Sequence, residues 1–167
     1  MSSEKMKAIF LDRDGVINRE RGEYTWLLED FILNDGLVEA LTEWQKRGFI
    51  FIVISNQSGV AKGVYSKTEV DYLHLHLVRR LANAGIRIEE IYYCPHHPDV
   101  GKCLCRKPGS LLIEKALARF EIDAANSFFI GDAERDILAA EGAGVKAILV
   151  HSNQRLTEIT AQIDSAL

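Results

Sequence analysis

Asp12-Arg13-Asp14-Gly15 sets two carboxylates two residues apart, with a glycine behind them. One carboxylate can attack phosphorus or hold a divalent ion, and a second nearby can carry a proton. The same residues would also make an ordinary turn, because aspartate and glycine favour turns through local hydrogen bonding. Companion groups elsewhere in the chain shift the balance toward chemistry. Ser55, followed by Asn56-Gln57-Ser58-Gly59, offers a hydroxyl that can donate to a phosphate oxygen. Gly131-Asp132 with Asp136 supplies oxygen ligands suited to a hard cation such as Mg²⁺. Asp136 has a second reading, since an acid in the first turn of a helix complements the helix dipole. Arg106-Lys107-Pro108 places two cations side by side, and Lys107 could neutralise an aspartate facing a phosphate.

A second constellation lies in Cys94-x-His96-x6-Cys103-x-Cys105, which gathers every cysteine of the chain. Three thiolates and one imidazole are the ligand set of a closed tetrahedral Zn²⁺ site, which is structural because no coordination position stays open. A bridge between Cys103 and Cys105 would be cramped, and three cysteines cannot all pair. His97 competes for the fourth place, but alternation across Pro95 favours His96. Buried cysteines beside surface histidines remain the plain alternative. The cluster directly precedes Arg106-Lys107, so an ion there would stiffen the loop that delivers those cations.

The elements that must position these groups follow from hydrophobic patterning. Apolar runs at Lys7–Leu11, Phe49–Ile54, Ile91–Tyr93, Ser127–Ile130 and Lys146–Val150 read as strands. Helical spacing falls between them at Val38–Arg47, Ser66–Ala84, Ser110–Phe120 and Glu134–Ala143. Ser66 with Glu69 makes a capping-box pair at the head of the second helix. Strands alternating with helices predict an α/β fold: a Rossmann-like parallel sheet of about five strands, covered on both faces. Ligands bind such sheets beyond the carboxyl ends of the strands, where Asp12, Ser55 and Asp132 all fall. His74 and His76, two apart on one helix, cannot share a face and make no metal pair. Trp26 and Trp44 read as packing residues, with Trp26 on a loop where it could also meet a ligand.

Composition sets the outer bounds. The chain has 167 residues, 47% hydrophobic and 26% charged, which fits one globular domain over residues 1–167 and excludes disorder. A net charge of −4 argues against nucleic acid or an anionic membrane surface as a partner. The first residues, MSSEKMK, carry no apolar leader stretch, so the expected location is cytoplasmic. A monomer is expected.

Asp12-x-Asp14, Ser55, Lys107 and Gly131-Asp132-x-x-x-Asp136, in that order, resemble the four motifs of the haloacid dehalogenase superfamily. The resemblance spans roughly residues 8–150 and implies a Mg²⁺-dependent phosphatase. Carried onto these positions, it makes Asp12 the nucleophile and Asp14 the acid and base. It makes Asp12, Asp132 and the Asp14 carbonyl the Mg²⁺ ligands, with Asp136 in support. Ser55 and Lys107 would hold the phosphate oxygens. DRDGVIN, SNQSGVAKG, IYYCPHHP and CxCRKP are similar to the zinc-bearing branch that holds the heptose-bisphosphate 7-phosphatases and the histidinol-phosphate phosphatases. The heptose enzymes are the nearer match, which implies a phosphorylated sugar as substrate. No large insertion separates the motifs, so a separate cap domain is not expected. Recognition would then fall to loops, with Asn18, Asn56, Gln57, Arg106 and Lys62 as contact candidates. Arg106 is the better candidate; a solvated surface cation is the alternative for both, and the stronger reading for Lys62.

Overall fold

The computed structural model describes residues 5–166. Five strands and five α-helices alternate in the expected manner: β1 (Lys7–Leu11), α1 (Leu37–Lys46), β2 (Phe49–Asn56), α2 (Lys67–Asn83), β3 (Ile88–Cys94), α3 (Leu111–Arg119), β4 (Phe128–Gly131), α4 (Glu134–Gly142), β5 (Lys146–Leu149) and α5 (Thr160–Ser165). All pairings are parallel, in the order β3-β2-β1-β4-β5. The order reverses beside β1, because β2 lies on one side of it and β4 on the other. That reversal opens a crevice at the carboxyl ends of β1 and β4, the switch point where α/β sheets bind ligands.

The period-2 geometry of β1 divides the core. Ile9 and Leu11 face one layer with Phe51, Val53 and Ile130, against Leu37, Leu41 and Trp44 of α1 and Leu73, Leu77 and Leu81 of α2. Ala8 and Phe10 face the other with Ile52, Ile54 and Phe129, against Leu112 and Ile113 of α3 and Ala139 and Ala140 of α4. Strands buried on both faces read as unbroken apolar runs, which is why β1 and β2 are legible in the sequence. Trp44 is fully buried, as its reading as a packing residue requires. The capping box at Ser66 forms: Ser66 Oγ accepts from the Glu69 amide, and Glu69 Oε2 accepts from the Ser66 amide at 2.7 Å.

Two strands differ from the sequence reading by more than one residue, and one helix is missing from it. β2 runs on through Ser55 and Asn56, so Ser55 sits at the end of the strand and not in a loop. β3 begins at Ile88 and ends with Cys94 as its last residue. It is an edge strand, where Glu89 and Glu90 can reach solvent, and their charge hides its first half from the hydrophobic pattern. The short α5 lacks a long enough apolar period to be read. The segment between β1 and α1 carries one short 3₁₀ turn, Leu28–Asp30, and among the described residues no insertion builds a separate cap. No described helix is long and apolar enough to cross a membrane. Residues 1–4 of the N-terminal stretch lie outside the described residues.

Candidate active site

The crevice forms a cavity of about 330 Å³ lined by acids at its floor and a mixed rim. Its volume falls at the lower end of the range of about 300–1,000 Å³ usual for small-molecule sites. β1 delivers Asp12 to its floor, where the Asp12 carboxyl is almost fully buried. Asp12 Oδ1 accepts from Lys107 Nζ at 2.8 Å and from the Arg13 amide at 2.9 Å, which leaves Oδ2 as the freer oxygen. Lys107 is itself buried; its ammonium also donates to the Ile54 carbonyl and lies 2.7 Å from Asp136 Oδ1, outside good hydrogen-bond angles. One cation thus stands between two buried carboxylates.

That arrangement sets the titration of the floor. Burial pushes the Asp12 carboxyl up to about 7, against the pull of Lys107 and with the push of Asp136. Burial alone would lower Lys107, but Asp12 and Asp136 outweigh it and hold the ammonium more firmly charged than usual. Burial also raises Asp132, opposed by a hydrogen bond from Ser152.

Asp14 behaves in the opposite way. Burial would raise its carboxyl, yet the Arg13 guanidinium and hydrogen bonds from Asn18, Arg13 and Gln57 bring it below the usual range. Arg13 Nε and Nη2 and Asn18 Nδ2 all donate to Asp14 Oδ1, at 3.2, 3.0 and 2.9 Å. Gln57 Nε2 donates to Oδ2 at 3.1 Å. Gln57 is held in turn by Tyr65, whose hydroxyl donates to Oε1 at 2.7 Å, and its amide also donates to Ser55 Oγ.

Two glycines make the close approach of these loops possible. Gly15 has φ +89°, and a side chain there would run into the Asp132 carboxylate and Ser152 Oγ. Gly131 likewise leaves the space that the Asp136 carboxylate fills. Carboxylate oxygens of Asp12, Asp132 and Asp136 consequently lie within 4.8 Å of one another, a donor set and spacing that fit a hard divalent cation. Asp136 is fully buried, and its Oδ2 accepts from the Ala133 amide at 3.2 Å, so it also fastens the start of α4.

The cysteine segment folds onto the end of β3. Cys94 Sγ lies 3.4 Å from His96 Nδ1, 3.1 Å from Cys105 Sγ and 3.6 Å from Cys103 Sγ, and His96 Nδ1 lies 3.2 Å from Cys105 Sγ. All three thiols are free, and the four donor atoms lie within 4.8 Å of one another. A tetrahedral ion with Zn–S of about 2.3 Å needs donor separations of about 3.5–3.8 Å, so the set is slightly contracted but fits. His97 Nδ1 instead accepts from the Asp99 amide at 3.1 Å. His96, and not His97, is the imidazole that the fold brings beside the three cysteines.

The remaining contact candidates divide. Arg106, half-buried, lines the cavity and anchors one N–H on the His96 carbonyl. Gln57 and Asn56 line it too, but Asn56 clamps the Lys107 backbone, accepting from its amide at 3.0 Å and donating to its carbonyl. Asn18 and Lys62 do not line it: Asn18 is fully buried with its amide on Asp14, and Lys62 lies on an exposed loop. Sequence reasoning passes over Arg13, Arg135 and Tyr24. Tyr24 and Arg135 line the rim, and Tyr24 contacts Ser58 Oγ at 3.3 Å, joining the loops after β1 and β2.

A switch-point cavity lined by an aspartate pair after β1, a buried lysine before α3 and Asp132 ahead of α4, with Ser55 at the end of β2 and Asp136 in α4 buried beside it rather than lining it, defines a hydrolase of the haloacid dehalogenase class. The HAD-hydrolase-like family model matches residues 104–165. The chain is 38% identical to a D-glycero-beta-D-manno-heptose-1,7-bisphosphate 7-phosphatase of Haemophilus ducreyi, over 90% of its own length and 86% of that relative's. It is 36% identical to the alpha-anomer enzyme of Campylobacter jejuni, with the same coverage of 90% and 86%. Among solved structures, a D,D-heptose 1,7-bisphosphate phosphatase from B. bronchiseptica, complexed with magnesium and phosphate, superposes with a TM-score of 0.82 at 32% identity. That match covers 94% of this chain and 87% of the other. Within that class, the chain belongs to the family of the D-glycero-D-manno-heptose-1,7-bisphosphate 7-phosphatases, which are phosphoric monoester hydrolases.

Proposed function

We propose that this chain removes the 7-phosphate of D-glycero-D-manno-heptose 1,7-bisphosphate by way of a phosphoenzyme on Asp12. The observation that carries the reading is Asp12 on the cavity floor, buried and hydrogen-bonded to a buried Lys107, in a chain 38% identical to enzymes of that name. Asp12 Oδ2 attacks phosphorus, forming the Asp12–phosphorus bond as the bond from phosphorus to the sugar oxygen breaks. Asp14 gives a proton to that departing oxygen. It then takes one from the water that attacks phosphorus and frees Asp12. Its depressed pKa suits the second step, and the negative charge of the arriving phosphate raises its proton affinity for the first. Ser55 and Lys107 hold phosphate oxygens, and Lys107 offsets the charge of Asp12 throughout.

Asp12, Asp132 and the Asp14 carbonyl would hold Mg²⁺, which supplies positive charge where two anions must meet. Cys94, His96, Cys103 and Cys105 would hold Zn²⁺, whose closed ligand set supplies rigidity alone. That rigidity reaches the chemistry directly, because Cys105, Arg106 and Lys107 are consecutive. Arg106 meets the substrate at the rim. Residues 1–167 act as one domain, a reading supported by the single sheet that every described strand joins, and the chain works as a monomer in the cytoplasm.

Phosphate release with Mg²⁺ should be measured from both anomers of the heptose bisphosphate and from histidinol phosphate, for the native chain and Asp12→Asn. The bisphosphate should be strongly preferred and the variant inactive. A preference for histidinol phosphate would overturn the substrate, and equal rates in the variant would overturn the mechanism.

A further inference from the structure

One buried titratable group is left over by the mechanism. His74 sits on the inner face of α2, almost fully buried, 61 residues from the catalytic loop. Its Nε2 lies 3.2 Å from Arg13 Nη1. Arg13 is only a donor, so the imidazole nitrogen must be the acceptor. Burial, reinforced by the Arg13 charge, pushes the His74 pKa down to about 3, which keeps that lone pair free. Tyr93 of β3 packs edge-on against the ring at 5.4 Å, and its hydroxyl is tied to Asp71, so the ring is held from behind.

Arg13 in turn is fixed at three corners. Nη1 goes to His74, Nη2 to the Thr25 carbonyl at 2.6 Å, and Nε with Nη2 to Asp14 Oδ1. Asp14 Oδ1 is therefore saturated by three N–H groups while Oδ2 accepts one. The guanidinium decides which carboxylate oxygen is spent on structure and which is left to move a proton.

We infer that His74 is a positioning residue for proton transfer: it holds the Arg13 guanidinium against Asp14 Oδ1 so that Oδ2 faces the departing oxygen. The inference rests on the reading of Asp14 as acid and base. Misplacing a catalytic group by about 1 Å costs on the order of 100-fold, and general acid catalysis contributes about 100- to 10,000-fold. The effect must depend on the leaving group. A sugar alkoxide needs the proton, whereas an aryl phosphate departs without it, and kcat/KM reports the steps up to that departure.

The test compares kcat/KM for heptose bisphosphate and for p-nitrophenyl phosphate in the native enzyme, His74→Leu, His74→Gln and Asp14→Asn. His74→Leu should lose about 10- to 100-fold on the sugar phosphate and under about threefold on the aryl phosphate. His74→Gln, whose amide oxygen can accept from Arg13, should recover most of the loss. Equal losses on both substrates, no loss, or a His74→Gln no better than His74→Leu would overturn the inference. If His74→Leu does not fold, His74→Met removes the same acceptor and decides by the same criteria. Asp14→Asn separates the two claims: if it keeps sugar-phosphate activity, the acid–base reading fails, whatever His74 does.

Discussion

Replacing Asp12 by asparagine should stabilise the magnesium-free protein while abolishing its activity. The buried Asp12 carboxyl has its pKa raised from 3.8 to about 7 by burial, with Asp136 adding to the rise and Lys107 opposing it. An acid raised on folding gives stability that is complete below about pH 4 and lost as pH climbs through about 7. At about 1.4 kcal/mol per tenfold change, that rise corresponds to roughly 4 kcal/mol lost by pH 8. The asparagine side chain of the variant carries no charge at any of these pH values. Its Oδ1 can still accept from Lys107 and the Arg13 amide, and its Nδ2 replaces the oxygen that neither of them touches. The variant should therefore exceed the native chain by about 2–4 kcal/mol at pH 8, or roughly 5–15 °C in Tm for a domain of this size. The gap should close toward pH 4, where the native carboxyl is protonated. Thermal and urea unfolding between pH 4 and 8, after dialysis into magnesium-free buffer, would measure it. Added Mg²⁺ should stabilise the native chain more than the variant at pH 8. A variant that melts at or below the native temperature at pH 8, or a gap independent of pH, would refute the reasoning.

Further expectations concern the residues that let the loops meet. Gly15→Ala, which combines a positive φ with a collision against Asp132, should raise the Mg²⁺ concentration for half-maximal activity at least about tenfold in a metal titration. Cys105→Ser should lower the bound zinc found by elemental analysis well below about one per chain, with a fall in Tm, because serine is a poor zinc ligand. Asn56→Ala frees the Lys107 backbone at both its amide and carbonyl and should cut kcat on an aryl phosphate by about 10-fold with the fold intact by circular dichroism.

What can be read from the sequence follows how local its cause is. Asp12, Ser55 and Asp132 each close an apolar run, so their common edge follows once the sheet is parallel. The cysteine cluster is legible because four soft ligands at short spacing have few other uses. The partners of Asp14 are not. Arg13 looks like a loop cation, and only the fold, which brings His74 of α2 to it across 61 residues, shows it turned inward. Asn18 and Asn56, read as substrate contacts, spend their amides on Asp14 and on the Lys107 backbone instead. Polar groups near a site compete for two jobs, touching the ligand and holding its neighbours, and residue type alone does not say which wins. β3 reads short because the edge of a sheet tolerates the charges that a central strand excludes.

The strand order has a consequence for how the molecule is made. β1 leaves the ribosome first but occupies the middle of the sheet, and its second edge is covered only by β4, whose Phe128, Phe129 and Ile130 pair with Ile9, Phe10 and Leu11. Until about residue 131 has emerged, a nascent chain carries an apolar strand with one open flank, the kind of edge that recruits stray strands and chaperones. Asp12 and Asp132 are far apart in the chain, so a fragment that stops before β4 cannot assemble the acidic cluster at all. Pairings this distant in sequence also close slowly, which makes β1–β4 docking the step expected to limit the folding rate.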